Sequence, residues 1–170
     1  MNADPLAFGR SFELVAGDSI IYLGPTDDFE IRAYTHTGLL RQILRVNADP
    51  IPVSSTMVTA FIDGLTVFRD SAVAASFRRL REAMPVPATT PAFSQLGVDS
   101  EQNLWVRQYP LYPDSNAVWN VFGPSGRLSG SIELPARFEP KVFGPAAVTG
   151  IWKDEAEVEH LRTYEIERRQ

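Results

Sequence analysis

The sequence predicts an all-β chain of repeated four-stranded units, interrupted once by a helical insertion. Three observations predict it. A short segment ending in an aromatic residue recurs along the chain, and a glycine follows that aromatic at the same distance in two copies. One stretch between copies instead spaces its apolar residues as a helix does.

The recurring segment is Glu30-Ile31-Arg32-Ala33-Tyr34, matched by His160-Leu161-Arg162-Thr163-Tyr164, with Val118-Trp119-Asn120-Val121-Phe122 in the same form between them. The first and third copies also align backwards, because Tyr22 precedes Ile31 by nine residues and Trp152 precedes Leu161 by nine. Forward of the aromatic, Thr35-His36-Thr37-Gly38 parallels Gly123-Pro124-Ser125-Gly126, so a glycine stands four residues after Tyr34 and four after Phe122. Glycine at such a place supplies a turn conformation that other residues resist. Phe122 to Tyr164 spans 42 residues and Tyr34 to Phe122 spans 88, a surplus of 46 that equals the length of residues 47–92.

Each unit reads as short strands bounded by Gly, Pro, Asp and Asn. The first occupies 11–46, with strands near 12–16, 19–23, 29–35 and 39–46. The second occupies 93–134, with strands near 93–98, 103–109, 117–122 and 127–134. The third occupies 138–167 and offers only three, near 138–143, 147–152 and 157–166.

Four strands in about 42 residues is the size of a β-propeller blade. With its Asn103-Leu104-Trp105-Val106 second strand and its aromatic-x-x-x-Gly turns, the chain resembles a stretch of six-bladed β-propeller with NHL-like or TolB-like blades. The resemblance covers roughly 11–46 and 93–167 and implies about 2.75 blades, too few to close a ring. We therefore expect a C-terminal portion of a longer chain, or a half-ring that associates with remaining blades or with itself. The first unit should then leave one sheet face uncovered. Charges at Glu157, Glu159, Glu165, Glu167, Arg168 and Arg169 stud the last strand, and charge discourages edge pairing.

The insertion at 47–92 begins with Pro50 and Pro52, followed by Ser54-Ser55-Thr56, which suits a helix cap. Met57, Phe61, Leu65 and Phe68 follow at helical spacing, with Asp63-Gly64 as a weak point. Asp70-Ser71 caps a second helix whose Val73, Phe77, Leu80 and Met84 share one face, with Arg78, Arg79, Arg81 and Glu82 on the other. Pro85, Pro87 and Pro91 then keep the returning chain extended. The insertion is expected to cover apolar surface at the sheet edges; a lid over a ligand-bearing face is the alternative.

Composition narrows the function classes. The chain has 170 residues, a net charge of −5 and no cysteine. Nucleic-acid binders present a basic face, and the only basic runs here are Arg78, Arg79 and Arg81 and the pair Arg168 and Arg169. Disulfides, thiolate nucleophiles and Cys-ligated zinc are excluded. No apolar run has the length of a membrane span. Residues 1–5 have no signal-peptide character. The residues name no compartment, while the resemblance leans towards an exported or periplasmic parent.

Chemistry is sparse. His36 lies in a turn where the second unit has Pro124, and His160 lies in a strand where the first has Glu30, so neither place requires an imidazole. Gly123-Pro124-Ser125-Gly126 is not a nucleophile elbow, and no Gly-rich phosphate loop occurs. Tyr22, Trp105, Trp119 and Trp152 suit packing between units. One constellation stands out: the loop between second and third strands is acidic in every unit, with Asp27 and Asp28, then Asp114, then Asp154 and Glu155. Carboxylates converging from several loops can hold Ca²⁺, although Asp is also an ordinary turn residue. No other cofactor is indicated. The expected function is a non-catalytic module binding a protein or small-molecule ligand on its loop face. The alternative is part of a hydrolase similar to the metal-dependent lactonases of six-bladed type.

Overall fold

A computed structural model describes residues 6–65, 71–112 and 115–167. Three antiparallel sheets follow one another along the chain, and none closes on itself. The first has the order β1 (Phe12–Ala16), β2 (Ile20–Pro25), β3 (Glu30–Thr35) and β4 (Leu40–Arg45). Helices α1 (Ser55–Leu65) and α2 (Ser71–Glu82) come next. The second sheet has the order β5 (Gln95–Val98), β6 (Leu104–Arg107), β7 (Ala117–Phe122) and β8 (Leu128–Leu134). The third has the order β11 (Glu159–Glu165), β10 (Ala147–Lys153) and β9 (Phe138–Phe143).

The sheets are layered through two apolar cores. Tyr22, Ile31, Ala33 and Leu44 of the first sheet pack on Leu96, Leu104, Val106 and Phe122 of the second. The opposite face of the second sheet, with Trp105, Ala117, Trp119 and Val121, packs on Phe138, Val148, Trp152 and Tyr164 of the third. Strand side chains alternate between faces, so a sheet buried on both sides must be apolar at nearly every position. β6 and β7 are, and both Trp105 and Trp119 are essentially inaccessible. The void between the first two sheets is only about 10 Å³, too small for more than a single water.

The glycines after the aromatics do what their spacing predicts. The Gly38 amide donates to the Thr35 carbonyl and the Thr35 amide to the Leu39 carbonyl; Gly126 with Gly123, and Gly123 with Arg127, repeat both bonds. Gly38 and Gly126 have φ of 82° and 77°. Each hairpin carries a register shift beside its aromatic, between Ala33 and Tyr34 and between Val121 and Phe122. A turn closed by a left-handed glycine and followed by a bulge produces that shift.

The backward alignment of the first and third copies does not survive. Tyr34 stands opposite Ile21, Phe122 opposite Leu104 and Tyr164 opposite Val148. Ile151-Trp152 therefore lies three positions beyond the counterpart of Ile21-Tyr22. β10 and β11 run further before their turn, so the shared interval of nine residues reflects a longer hairpin, not an equivalent site.

The insertion stands on a short paired stalk. The Val53 amide donates to the Ala88 carbonyl and the Thr90 amide to the Ile51 carbonyl. Ser54 caps α1, its Oγ accepting the Met57 amide at 3.2 Å. α1 continues through Asp63-Gly64, and Met57 and Ile62 are its buried residues. Phe68 and Asp70 lie outside the described residues. α2 departs from its expected sidedness. Val73 and Leu80 are exposed, and Arg81 is buried. The Arg81 guanidinium carbon lies 4.8 Å from the centre of the Phe77 ring, and Nη1 is 3.9 Å from the Met84 sulfur. A long stem and a flat, weakly hydrated cation allow arginine to pack in this way.

Gly38 has open space where a Cβ would stand, so only its φ opposes substitution. Gly38→Ala should cost about 1 kcal/mol, and Gly38→Asn less, because asparagine tolerates the left-handed region. Urea unfolding of the two variants checks the order.

Candidate functional site

The acidic loops occupy the same end of their own sheets, between β2 and β3, β6 and β7, and β10 and β11. Asp27 and Asp28 are exposed, and Asp27 forms an ion pair with Arg10 at 3.1 Å. Beside them Thr26 is buried, its Oγ1 accepting the Ser11 amide and its carbonyl the Ala92 amide. Asp114 lies outside the described residues. Glu155 is exposed. Asp154 turns inward on its own hairpin: Oδ1 accepts the Ala156 and Val158 amides at 2.9 and 3.0 Å, and Oδ2 lies 3.0 Å from His160 Nε2. Among the described residues no three acidic or histidine side chains gather closely enough to hold a metal ion. The two histidines are apart as well, since His36 Nε2 meets the Gly17 carbonyl at the opposite end of the first sheet.

The most deeply engaged carboxylate is Asp99, which the acidic-loop pattern misses. It is 4% exposed. Oδ1 accepts the Glu101 and Asn103 amides, each at 2.9 Å. Oδ2 accepts Asn103 Nδ2 at 2.9 Å and Trp105 Nε1 at 3.1 Å. Gln102 completes this turn with φ of 63°, and Glu157 completes the Asp154 turn with φ of 61°. Asp99 and Asp154 thus build one motif, in which the carboxylate takes amides two and four residues on and meets a ring nitrogen six residues on. The pattern Asp99, Asn103, Trp105 against Asp154, Val158, His160 was the available sequence signal. The consequence is structural: the Asp99 turn fixes Trp105, whose ring centre lies 5.1 Å from that of Phe143 of the third sheet. Phe143 also lies 5.0 Å from Trp119. Burial, and then the charge of Asp99, raises the pKa of the nearby Tyr22 phenol.

The helical insertion rests on the loop end. Met57 and Phe61 of α1 pack with Phe8, Tyr109 and Leu111, with ring centres 5.7 Å apart for Phe8 and Phe61 and 5.9 Å for Phe8 and Tyr109. The insertion therefore covers apolar surface, at the loop end and not at the sheet edges. Beside it the β6–β7 loop forms an open cleft of about 230 Å³, lined by Gln108, Tyr109, Leu111, Tyr112 and Asn116 among others. Asn116 is occupied within the fold: Nδ2 donates to Glu133 and Oδ1 accepts the Ala136 amide.

The outer face of the first sheet exposes apolar side chains. Phe12 and Leu14 are each 61% exposed, and Leu40 and Ile43 are also exposed. Leu14, Leu23, Arg32 and Ile43 form one row across all four strands. Glu30 accepts from Arg45 at its side and from Arg32 within the row, and these pairings, Arg45 first, lower the Glu30 pKa. Arg32 interrupts the apolar row between Leu23 and Ile43.

Two expectations follow. Asp99→Ala strands two amides and the Trp105 indole N–H and should cost about 2–4 kcal/mol in urea unfolding; a loss below about 1 kcal/mol would show that solvent replaces the carboxylate. The Asp154 pKa is lowered, first by His160 and then by the Val158 amide. A lowered folded-state pKa gives stability that is present above the carboxylate's ordinary 3.8 and lost as pH falls through the folded value. The melting-temperature difference between the protein and Asp154→Ala should therefore be constant from pH 5 to 6 and shrink below roughly pH 4. A difference that grows on acidification contradicts the assignment.

The chain matches no protein-family model and no curated protein sequence.

Proposed function

We propose that the chain is a non-catalytic binding module of β-propeller type, its three sheets acting as successive blades, and that it takes a protein partner on the outer face of its first sheet. One observation carries the reading. The first sheet is packed on one face like an interior sheet and presents Phe12, Leu14, Leu40 and Ile43 on the other. Apolar residues spread over a sheet face suit another protein layer better than a small ligand, which prefers a concave seat. The partner therefore sits on a sheet face, not at the loop end where the ligand was first expected. Glu30 and Arg45 form a polar border at one side of the apolar face, as at protein interfaces, and Arg32 within the face pairs with Glu30.

A photo-crosslinking residue at position 14 of the full chain, in the cells that produce it, tests the proposal. One discrete protein adduct is expected, absent when the crosslinker replaces exposed Glu82. No adduct, or the same diffuse products from both positions, rejects the reading.

A further inference from the structure

We propose that the partner is a second copy of this chain, paired head to tail: the outer face of β1–β4 in each copy receives the outer face of β9–β11 of the other. This rests on the propeller-type reading above. The pairings of Tyr34, Phe122 and Tyr164 with Ile21, Leu104 and Val148 set a common frame for the sheets. In that frame Leu14, Ile21, Leu23 and Tyr34 of the first sheet occupy the places of Leu96, Leu104, Val106 and Phe122 of the second. Those four residues of the second sheet are 0–7% exposed because the first sheet covers them. The first sheet presents side chains of the same kind, with Leu14 61% exposed and Ile21, Leu23 and Tyr34 half-buried.

The third sheet shows the complementary half. Leu161 occupies the place of Trp119 and of Ile31, each three residues before the aromatic of its unit. Trp119 and Ile31 bury against the following sheet and are 0% and 1% exposed, whereas Leu161 is 79% exposed. Beside it on the outer face stand Ile151, directly opposite, and Val142, 62% exposed. Head-to-tail pairing thus continues the two interfaces already inside the chain. Charge agrees with it. The first face sets Arg32 and Arg45 against the single carboxylate of Glu30. The other sets Glu139, Glu159 and Glu165 against Lys141 and Lys153. Opposite balances favour this orientation over pairing like faces. Propeller rings hold four to eight sheets. Two copies of the three described sheets make six, within that range, and closure covers both faces instead of extending a filament.

Light scattering after size exclusion tests this on the full chain. The expected mass is twice the 18.9 kDa of one chain. Leu14→Glu and Leu161→Glu should each run at the single-chain mass while keeping a cooperative melt. Mixed in equal amounts they should recover a dimer, through the one interface that neither substitution touches. Val142→Glu, on the same face as Leu161, serves if Leu161→Glu melts without cooperativity. Residue 14 is likewise probed independently by Phe12→Glu. A wild-type protein that stays at single-chain mass up to millimolar concentration overturns the proposal, as does a dimer that Leu161→Glu and Val142→Glu leave intact. If the wild type is a single chain but the crosslinker at position 14 still yields one discrete adduct with another protein, only self-pairing falls. If the adduct is missing too, the binding reading falls with it.

Discussion

Phe143 of the third sheet lies against both Trp105 and Trp119 of the second, and the stacking of the sheets depends on that contact. Aromatic rings carry large buried areas and hold preferred tilted geometries, so a cluster of three fixes both the distance and the orientation of two layers. The indole N–H of Trp105 requires an acceptor once buried. Asp99 supplies it from a turn at the end of the same sheet, and the same carboxylate holds that turn closed through two backbone amides. A polar constraint within one hairpin thereby positions an apolar contact between sheets. The Trp119 indole nitrogen, by contrast, finds no acceptor among the described residues, and its ring is held by packing.

The middle sheet is buried on both faces and the outer two on one face each. That asymmetry follows from a linear stack, in which each layer covers only its neighbours. It also explains the distribution of residue types. β6 and β7 carry apolar side chains almost continuously, whereas β11 is exposed along nearly its whole length and bears charges at its ends. β11 is the outer strand of its sheet, and its glutamates discourage uncontrolled pairing along that edge. Sheet faces are a separate matter. Leu14 and Leu161 leave apolar surface on the faces of the first and third sheets.

The helical insertion shows how local pattern and tertiary demand diverge. Spacing alone assigned α2 an apolar face through Val73 and Leu80, yet Arg81 is the residue it buries. Hydrophobic periodicity reports which residues share a face, and it does not report which face finds a neighbour. α1 agrees with its pattern because Phe8, Tyr109 and Leu111 provide an apolar seat under Met57 and Phe61.

The strands were legible because their boundaries are written in local chemistry: glycines that adopt positive φ, prolines that cannot continue a ladder, and alternating apolar positions. The grouping of strands into three successive sheets followed from the repeated aromatic and its glycine. Asp99 was not recognised, although its spacing to Asn103 and Trp105 recurs at Asp154, because a carboxylate in a turn is usually a solvated one. Sequence by itself thus determined the strands, their order and the place of the helices, all of which depend on contacts between residues near in the chain. Only the tertiary structure decided the register of β10 against β11, the burial of Arg81 and the outward aspect of Leu14 and Leu161. Those depend on which surfaces meet across the chain, and identical local patterns allow either outcome.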